Sequence, residues 1–299
     1  MNTTKRLLAT AGVAILAVAA VTNAGGQTMK TITATGGRPL WRALDALEVE
    51  VGGTVNYEDV PYENVADCRD VSTPEWRAKA PPGYQLLVPR LSTVTAEIRV
   101  PASGAATQNE LIYDVNLLLT SYRQNQSPGD FQVDEANGML YVTATKVLGA
   151  NGAVHAVTSP MLTVLTIPTA DRSVVETAQA IFDAVRKATG LRIAVATSPF
   201  WPSQHVTFGA GGEVARHALA RLFTQVSTRP LSYRLIFEPK PDRMRVYDYL
   251  VNITPSGYVA PMAPPGYGPI NRPAGPTPPV PASTPQPGAP RPNQGPAKP

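Results

Sequence analysis

The chain has one cysteine, Cys68, and three histidines, His155, His205 and His217, among 299 residues. A single thiol cannot form an internal disulfide, and zinc sites built on cysteine pairs are excluded. Three histidines leave little material for a histidine-rich metal centre. Charged residues are only 16% of the chain, and its net charge is +4. That excess sits at the ends: residues 1–24 and 256–299 hold Lys5, Arg6, Arg272, Arg291 and Lys298 and no acid, leaving residues 25–255 at −1. The clustered basic face that nucleic-acid binding needs is therefore not expected. Gly-x-Ser-x-Gly, His-Glu-x-x-His and phosphate-loop motifs do not occur, so no familiar catalytic signature is present. Hydrophobic residues make up 43%, enough to form a core. The length suits two domains better than one. Proline is plentiful: 31 residues, 15 of them between Pro261 and Pro299.

The first 24 residues read as an export leader. Lys5 and Arg6 precede an apolar stretch from Leu7 to Val21, and Thr22 and Ala24 stand at −3 and −1 of a cleavage site. This is the layout of a secretory signal peptide. The apolar run is short and alanine-rich for a membrane span, so the mature chain is expected to begin near Gly25, with no transmembrane segment. An uncleaved N-terminal anchor is the alternative. Residues 256–299 hold hardly any large apolar side chains and cannot bury enough surface to offset the entropy of ordering. They are expected to form a disordered, proline-rich tail of polyproline character.

Between these ends the pattern repeats. In GRPLWRALDALEVEVGGTVNYED, residues 37–59, Leu40, Ala43, Leu44, Leu47 and Val51 share a helical face, Pro39 suits a first turn, and Gly52-Gly53 ends it. SVVETAQAIFDAVRKATGLRIAVATS, residues 173–198, repeats that layout behind a Ser173/Glu176 capping box. Setting Gly52 on Gly190 places Ala43 with Ile181, Leu44 with Phe182, Leu47 with Val185 and Val55 with Ile193. A second helix is expected over 107–126, capped by Thr107 and Glu110, and its counterpart over 213–228. Leu118-Leu119 align with Leu222-Phe223. A hairpin follows each: one around Asn137-Gly138, a strong turn signal, and one within 231–250. The expected fold class is α+β: two tandem modules, 28–150 and 160–255, each with two helices on a short mixed sheet. The first carries an insertion near 60–90.

PLWRALDALEVEVGGTVNYED, AIFDAVRKATGLRIAVA and EVARHALARLFTQVSTRPLSYRL resemble the short N-terminal domain shared by secretins and TonB-dependent receptors. The resemblance covers about 70 residues of each copy. It implies a periplasmic module that makes protein–protein contacts and does no chemistry. No long series of alternating strands follows, so a receptor barrel is not expected.

The insertion groups Glu58, Asp59, Glu63, Asp67 and Asp70, and a hard-cation site is one reading of them. Their spacing fits no EF-hand, and a solvated loop is the other. Trp41, Tyr57, Tyr62, Trp76, Phe200 and Trp201 are the candidate contact residues, since aromatics supply large contact area. Core packing competes for Trp41, and packing over the sheet edge for Phe200 and Trp201. GAGGE, residues 209–213, could hold an anion at a helix start, but Glu213 would repel it and a turn is expected. The function expected is that of an exported, non-enzymatic cell-envelope protein with an envelope protein partner, no metal and no cofactor. The alternative is a peptidoglycan-binding module with the tail as spacer.

Overall fold

The computed structural model describes residues 28–83, 85–102, 104–125, 127–196, 203–227, 230–239 and 247–258, together with the backbone of Leu16–Thr22. Of the expected tail, residues 256–258 are described, with Ser256 bonded to Thr54 and the Gly257 N–H to Glu48; residues 259–299 lie outside the described residues.

The fold is α+β. β1 (Leu16–Thr22) pairs antiparallel with β2 (Thr28–Gly36) from Leu16↔Ala34 to Thr22↔Thr28. The chain then enters α1 (Pro39–Val51), whose first-turn proline needs no partner for a missing N–H. Gly52 and Gly53 end it with φ of 72° and 87°, and β3 (Val55–Glu58) follows. The insertion, expected to be a loop, carries small elements: β4 (Cys68–Asp70), α2 (Pro74–Lys79) and β5 (Leu87–Pro89). β4 and β5 pair as a short ribbon. Next come β6 (Ser92–Val100), α3 (Gln108–Gln124), β7 (Asp130–Ala136) and β8 (Met139–Leu148). β6 pairs antiparallel with β2. β3 runs parallel to β8, and β7 antiparallel to it around Asn137-Gly138.

After β9 (Val154–Ala156), an edge piece on β8, the remaining elements are β10 (Val164–Ser173), α4 (Val174–Thr189), β11 (Ile193–Val195), β12 (His205–Val214), α5 (Ala215–Val226), β13 (Leu231–Phe237) and β14 (Tyr249–Pro255). β10 and β12 form an antiparallel ribbon, β11 runs parallel to β14, and β13 antiparallel to β14. The GAGGE segment is strand, not turn: β12 continues through it with an irregularity at Gly212, whose φ is 71°, and Gly209 lies close against Thr169 of β10.

One pairing joins the two ends of this order. β13 lies parallel beside β3, with Arg234 opposite Tyr57 and Leu235 opposite Glu58. The sheet is thereby continuous, in the order β11-β14-β13-β3-β8-β7. Successive residues of a strand point to opposite faces. Arg234 reaches Asp45 and Glu48 on α1, while its neighbour Tyr233 reaches Glu58 on the face that meets Arg216 of α5. α1 and α3 therefore cover one face of the central sheet, and α4 and α5 the other. The sheet of β2 and β6 covers the outer side of α1 and α3, and the ribbon of β10 and β12 covers that of α4 and α5. Five layers result. β13 is buried along its whole length because helices lie above and below it.

Candidate functional site

The line where β13 meets β3 concentrates the buried charge of the molecule. Arg234 donates from Nε and Nη2 to Asp45 Oδ1 at 2.9 and 2.7 Å, and from Nη2 to Glu48 Oε2 at 2.9 Å. Glu48 Oε1 accepts from the Val55 N–H at 2.7 Å. Burial pushes the Asp45 and Glu48 carboxyls above their ordinary values, and the guanidinium of Arg234 opposes that push. On the other face Arg216 Nη2 donates to Glu58 Oε2 at 2.9 Å and to Thr143 Oγ1 at 3.2 Å, and its guanidinium lies 4.9 Å from the Tyr141 ring centre. The Tyr233 hydroxyl donates to Glu58 Oε1. A third cluster centres on Asp59. Its Oδ2 accepts from Arg38 Nε at 2.7 Å and its Oδ1 from the Tyr57 and Tyr62 hydroxyls at 2.7 and 3.2 Å. These charges are paired within the protein, as buried charges must be. Their chemistry is cohesive: each cluster ties a residue of the first half to one of the second or seats β3 against its neighbours.

The candidate contact residues fall into three groups. Tyr57 and Tyr62 are core residues, 1% and 7% exposed, with ring contacts to Phe131 and Phe237. Trp41 is half-buried on α1 against the core, with the Arg42 guanidinium 4.7 Å from its ring centre. Trp76 is half-buried on α2, whose first turn is capped by Thr73. Phe200 and Trp201 lie outside the described residues. Among the four described, Tyr57 and Tyr62 are therefore not on an exposed surface.

The five acids of the insertion take separate partners. Glu58 and Asp59 belong to the clusters above, Glu63 meets His155 at 2.9 Å, and Asp70 bonds Ser72 and Arg77. Asp67 is buried, and burial raises its carboxyl against the pull of Arg90. No group of three or more metal-ligating side chains converges among the described residues. The half-buried Cys68 thiol is pushed up to about 11 by burial, with Asp67 adding to the effect, so it is not a thiolate at neutral pH. His205 stands 3.6 Å from Asp171, both exposed. His217 lines a cleft of about 260 Å³ with Asn137, Glu213, Ala220, Arg221 and Thr224. Its cation is already held there: Arg221 bonds Glu213 at 2.6 Å and the Gly209 carbonyl at 2.7 Å, with its guanidinium 4.1 Å from the Phe208 ring centre.

What remains for recognition is the strand edges, and they are not equal. β7 carries Asp130, Asp134 and Glu135 and an irregular register at its start. β6 exposes Glu97 and Arg99. β10 contains Pro168, Asp171 and Arg172 and two register shifts. Charge, proline and bulges are the usual protections of an edge. β2 is not an edge in this structure, since it lies between β1 and β6; it has one charged residue, Lys30, and that side chain turns to Glu50 on α1. Its other long residues are Thr, Met and Ile, and Thr33 and Thr35 pair with Thr95 and Thr93 across the sheet.

No family model matches the chain, and neither a curated protein nor a solved structure matches it.

Proposed function

We propose that this is a non-enzymatic protein of the cell envelope that works by protein contacts. In this reading it consists of two copies of a secretin-type module, exported by the leader 1–24 and continued by the proline-rich tail.

The duplication is supported by strand pairing. In each half the first strand pairs antiparallel with the third, the second runs parallel to the last, and the last two are antiparallel. The pairs are β2/β6, β3/β8 and β7/β8 in one half, and β10/β12, β11/β14 and β13/β14 in the other. The aligned residues fall on corresponding elements. Ala43, Leu44 and Leu47 on α1 and Ile181, Phe182 and Val185 on α4 are all buried. Val55 and Ile193 open β3 and β11, and Leu118-Leu119 and Leu222-Phe223 are buried on α3 and α5.

The observation that carries the contact reading is the join itself. Two modules of this kind meet edge to edge through β3 and β13 and cover each other's exposed sheet faces with helices. A module that can complete its sheet with a strand from outside itself is suited to taking a partner's strand as well. No helix among the described residues is long and apolar enough to cross a membrane, which leaves contact with membrane-embedded partners to the folded surfaces.

The test is chemical crosslinking in intact cells, followed by purification through a tag placed after Pro299. Recovery of one defined envelope protein supports the reading. Recovery of wall fragments alone contradicts it and favours binding of peptidoglycan.

A further inference from the structure

We propose that the edge of β2 is a strand-accepting site, uncovered when the leader is removed and filled by an extended, uncharged segment of a partner protein. The inference rests on the reading of residues 1–24 as a cleaved leader and names the surface by which the proposed contacts are made.

The argument begins with what lies on that edge. β1, residues LAVAAVT, pairs with β2 through seven consecutive positions, Leu16↔Ala34 to Thr22↔Thr28. All of β1 precedes the expected cleavage point after Ala24. In the uncleaved chain the edge is closed. In a chain beginning at Gly25, the N–H and C=O groups of β2 that met β1 face solvent, while those facing β6 stay paired through nine positions. A strand edge left in this state is a template for another strand.

The edge also lacks protection. Of the nine residues of β2, Lys30 alone is charged, and it is engaged with Glu50. β2 contains no proline and pairs with both neighbours without a register shift. β6, β7 and β10 are guarded by charge, by bulges or by proline, and β11 is only three residues long. The core-facing side chains Ile32 and Ala34 are fully packed, so β2 is held straight and in place before any partner arrives. Preorganisation of this kind removes an ordering cost from binding.

The chemistry of the occupant follows from the segment the edge accepts: about seven residues, extended, antiparallel, uncharged, and rich in alanine and valine. The proline-rich tail does not meet this description, because proline lacks the N–H that a ladder needs. The commitment is therefore to a segment of a different protein.

The experiment uses the processed chain purified from the envelope of exporting cells, with its N-terminus read by intact mass. The probe is a synthetic peptide of residues 14–24, AILAVAAVTNA, alongside the same peptide carrying Ala19→Pro. Hydrogen exchange is followed at residues 28–36, with β13 and β14 as the folded control. The expected result is an N-terminus at Gly25 and a monomer whose β2 amides exchange about ten-fold more slowly when the peptide is added. The proline peptide should bind about ten-fold more weakly or not at all. The proposal is overturned by an intact leader on the working protein, since the edge is then permanently closed. It is overturned equally by unchanged β2 exchange while β13 and β14 stay protected, or by a dimer in which a second copy of this chain already protects β2. If crosslinking in cells yields an envelope partner but the peptide leaves β2 unaffected, the edge assignment fails and the contact function stands.

Discussion

At the scale of single residues, Asp114 is a buried carboxylate whose charge the fold disfavours. It sits on α3, 1% exposed, and neither carboxylate oxygen has a hydrogen-bond partner. Burial lifts its pKa to about 6, against the pull of Arg99. Because the folded value lies above the ordinary 3.8, protonation favours the fold. The contribution is complete below about pH 4 and is lost as pH rises through about 6. Asp114→Asn removes the charge. At pH 7.5 the variant should be more stable than the parent by up to about 3 kcal/mol, and the gain should vanish near pH 4. Thermal unfolding of both proteins across that range measures it, and a gain independent of pH would contradict the assignment. Arg234 is the opposite case, a buried cation with two carboxylates and a carbonyl around it. Arg234→Met leaves Asp45 and Glu48 facing each other without a counter-charge, and should cost about 3–5 kcal/mol in denaturant unfolding. A loss under 1 kcal/mol would mean that water or neighbouring groups take over the pairing.

At the scale of elements, much was readable in the sequence wherever local signals decide the structure. The Thr107/Glu110 and Ser173/Glu176 capping boxes form as expected, Gly190 takes the left-handed C-cap conformation, and Asn137-Gly138 makes the hairpin. The turn expected at residues 209–213 is instead the end of strand β12, and three glycines stand in it. The reason for one of them is tertiary. A Cβ on Gly209 would lie 2.4 Å from Thr169 Oγ1 and 2.8 Å from its Cα. Gly209→Ala must therefore push β10 and β12 apart, at a cost of about 1–3 kcal/mol measured by chemical denaturation. An unchanged midpoint would show that the ribbon yields freely. The charged seam was also hidden, although a signal existed: Asp45 and Glu48 directly follow Leu44 and Leu47, at the edge of the apolar face of α1. Carboxylates there suggest a buried partner, but nothing in a linear pattern says that the partner is Arg234, 186 residues beyond Glu48. The candidate aromatics misled in a related way. Tyr57 and Tyr62 were attractive as contact residues for their size, and that same size fills the core around Phe131 and Phe237.

Taken as a whole, the described residues between 28 and 255 form one body in which the two halves share a sheet and exchange ion pairs across it. Cutting the chain between them would expose the β3 and β13 edges and strand Glu58, Asp45 and Glu48 without Arg216 or Arg234. The halves should therefore unfold together, in a single transition with coincident fluorescence and circular dichroism curves. Two separated transitions would mean that the β3–β13 join contributes little. That rigidity bears on function, because it leaves the strand edges at the outside as the places where something else can join. The most direct test of the contact account is a photo-crosslinking amino acid placed at Thr31 on β2 and, for comparison, at Glu135 on the charged β7 edge, with irradiation of living cells. The account predicts a discrete adduct with one envelope protein from position 31 and none from position 135. Adducts with wall polymer alone would contradict it, whereas no adduct from position 31 in a folded and correctly exported protein would overturn the β2 edge assignment and leave the contact reading to be tested at other surfaces.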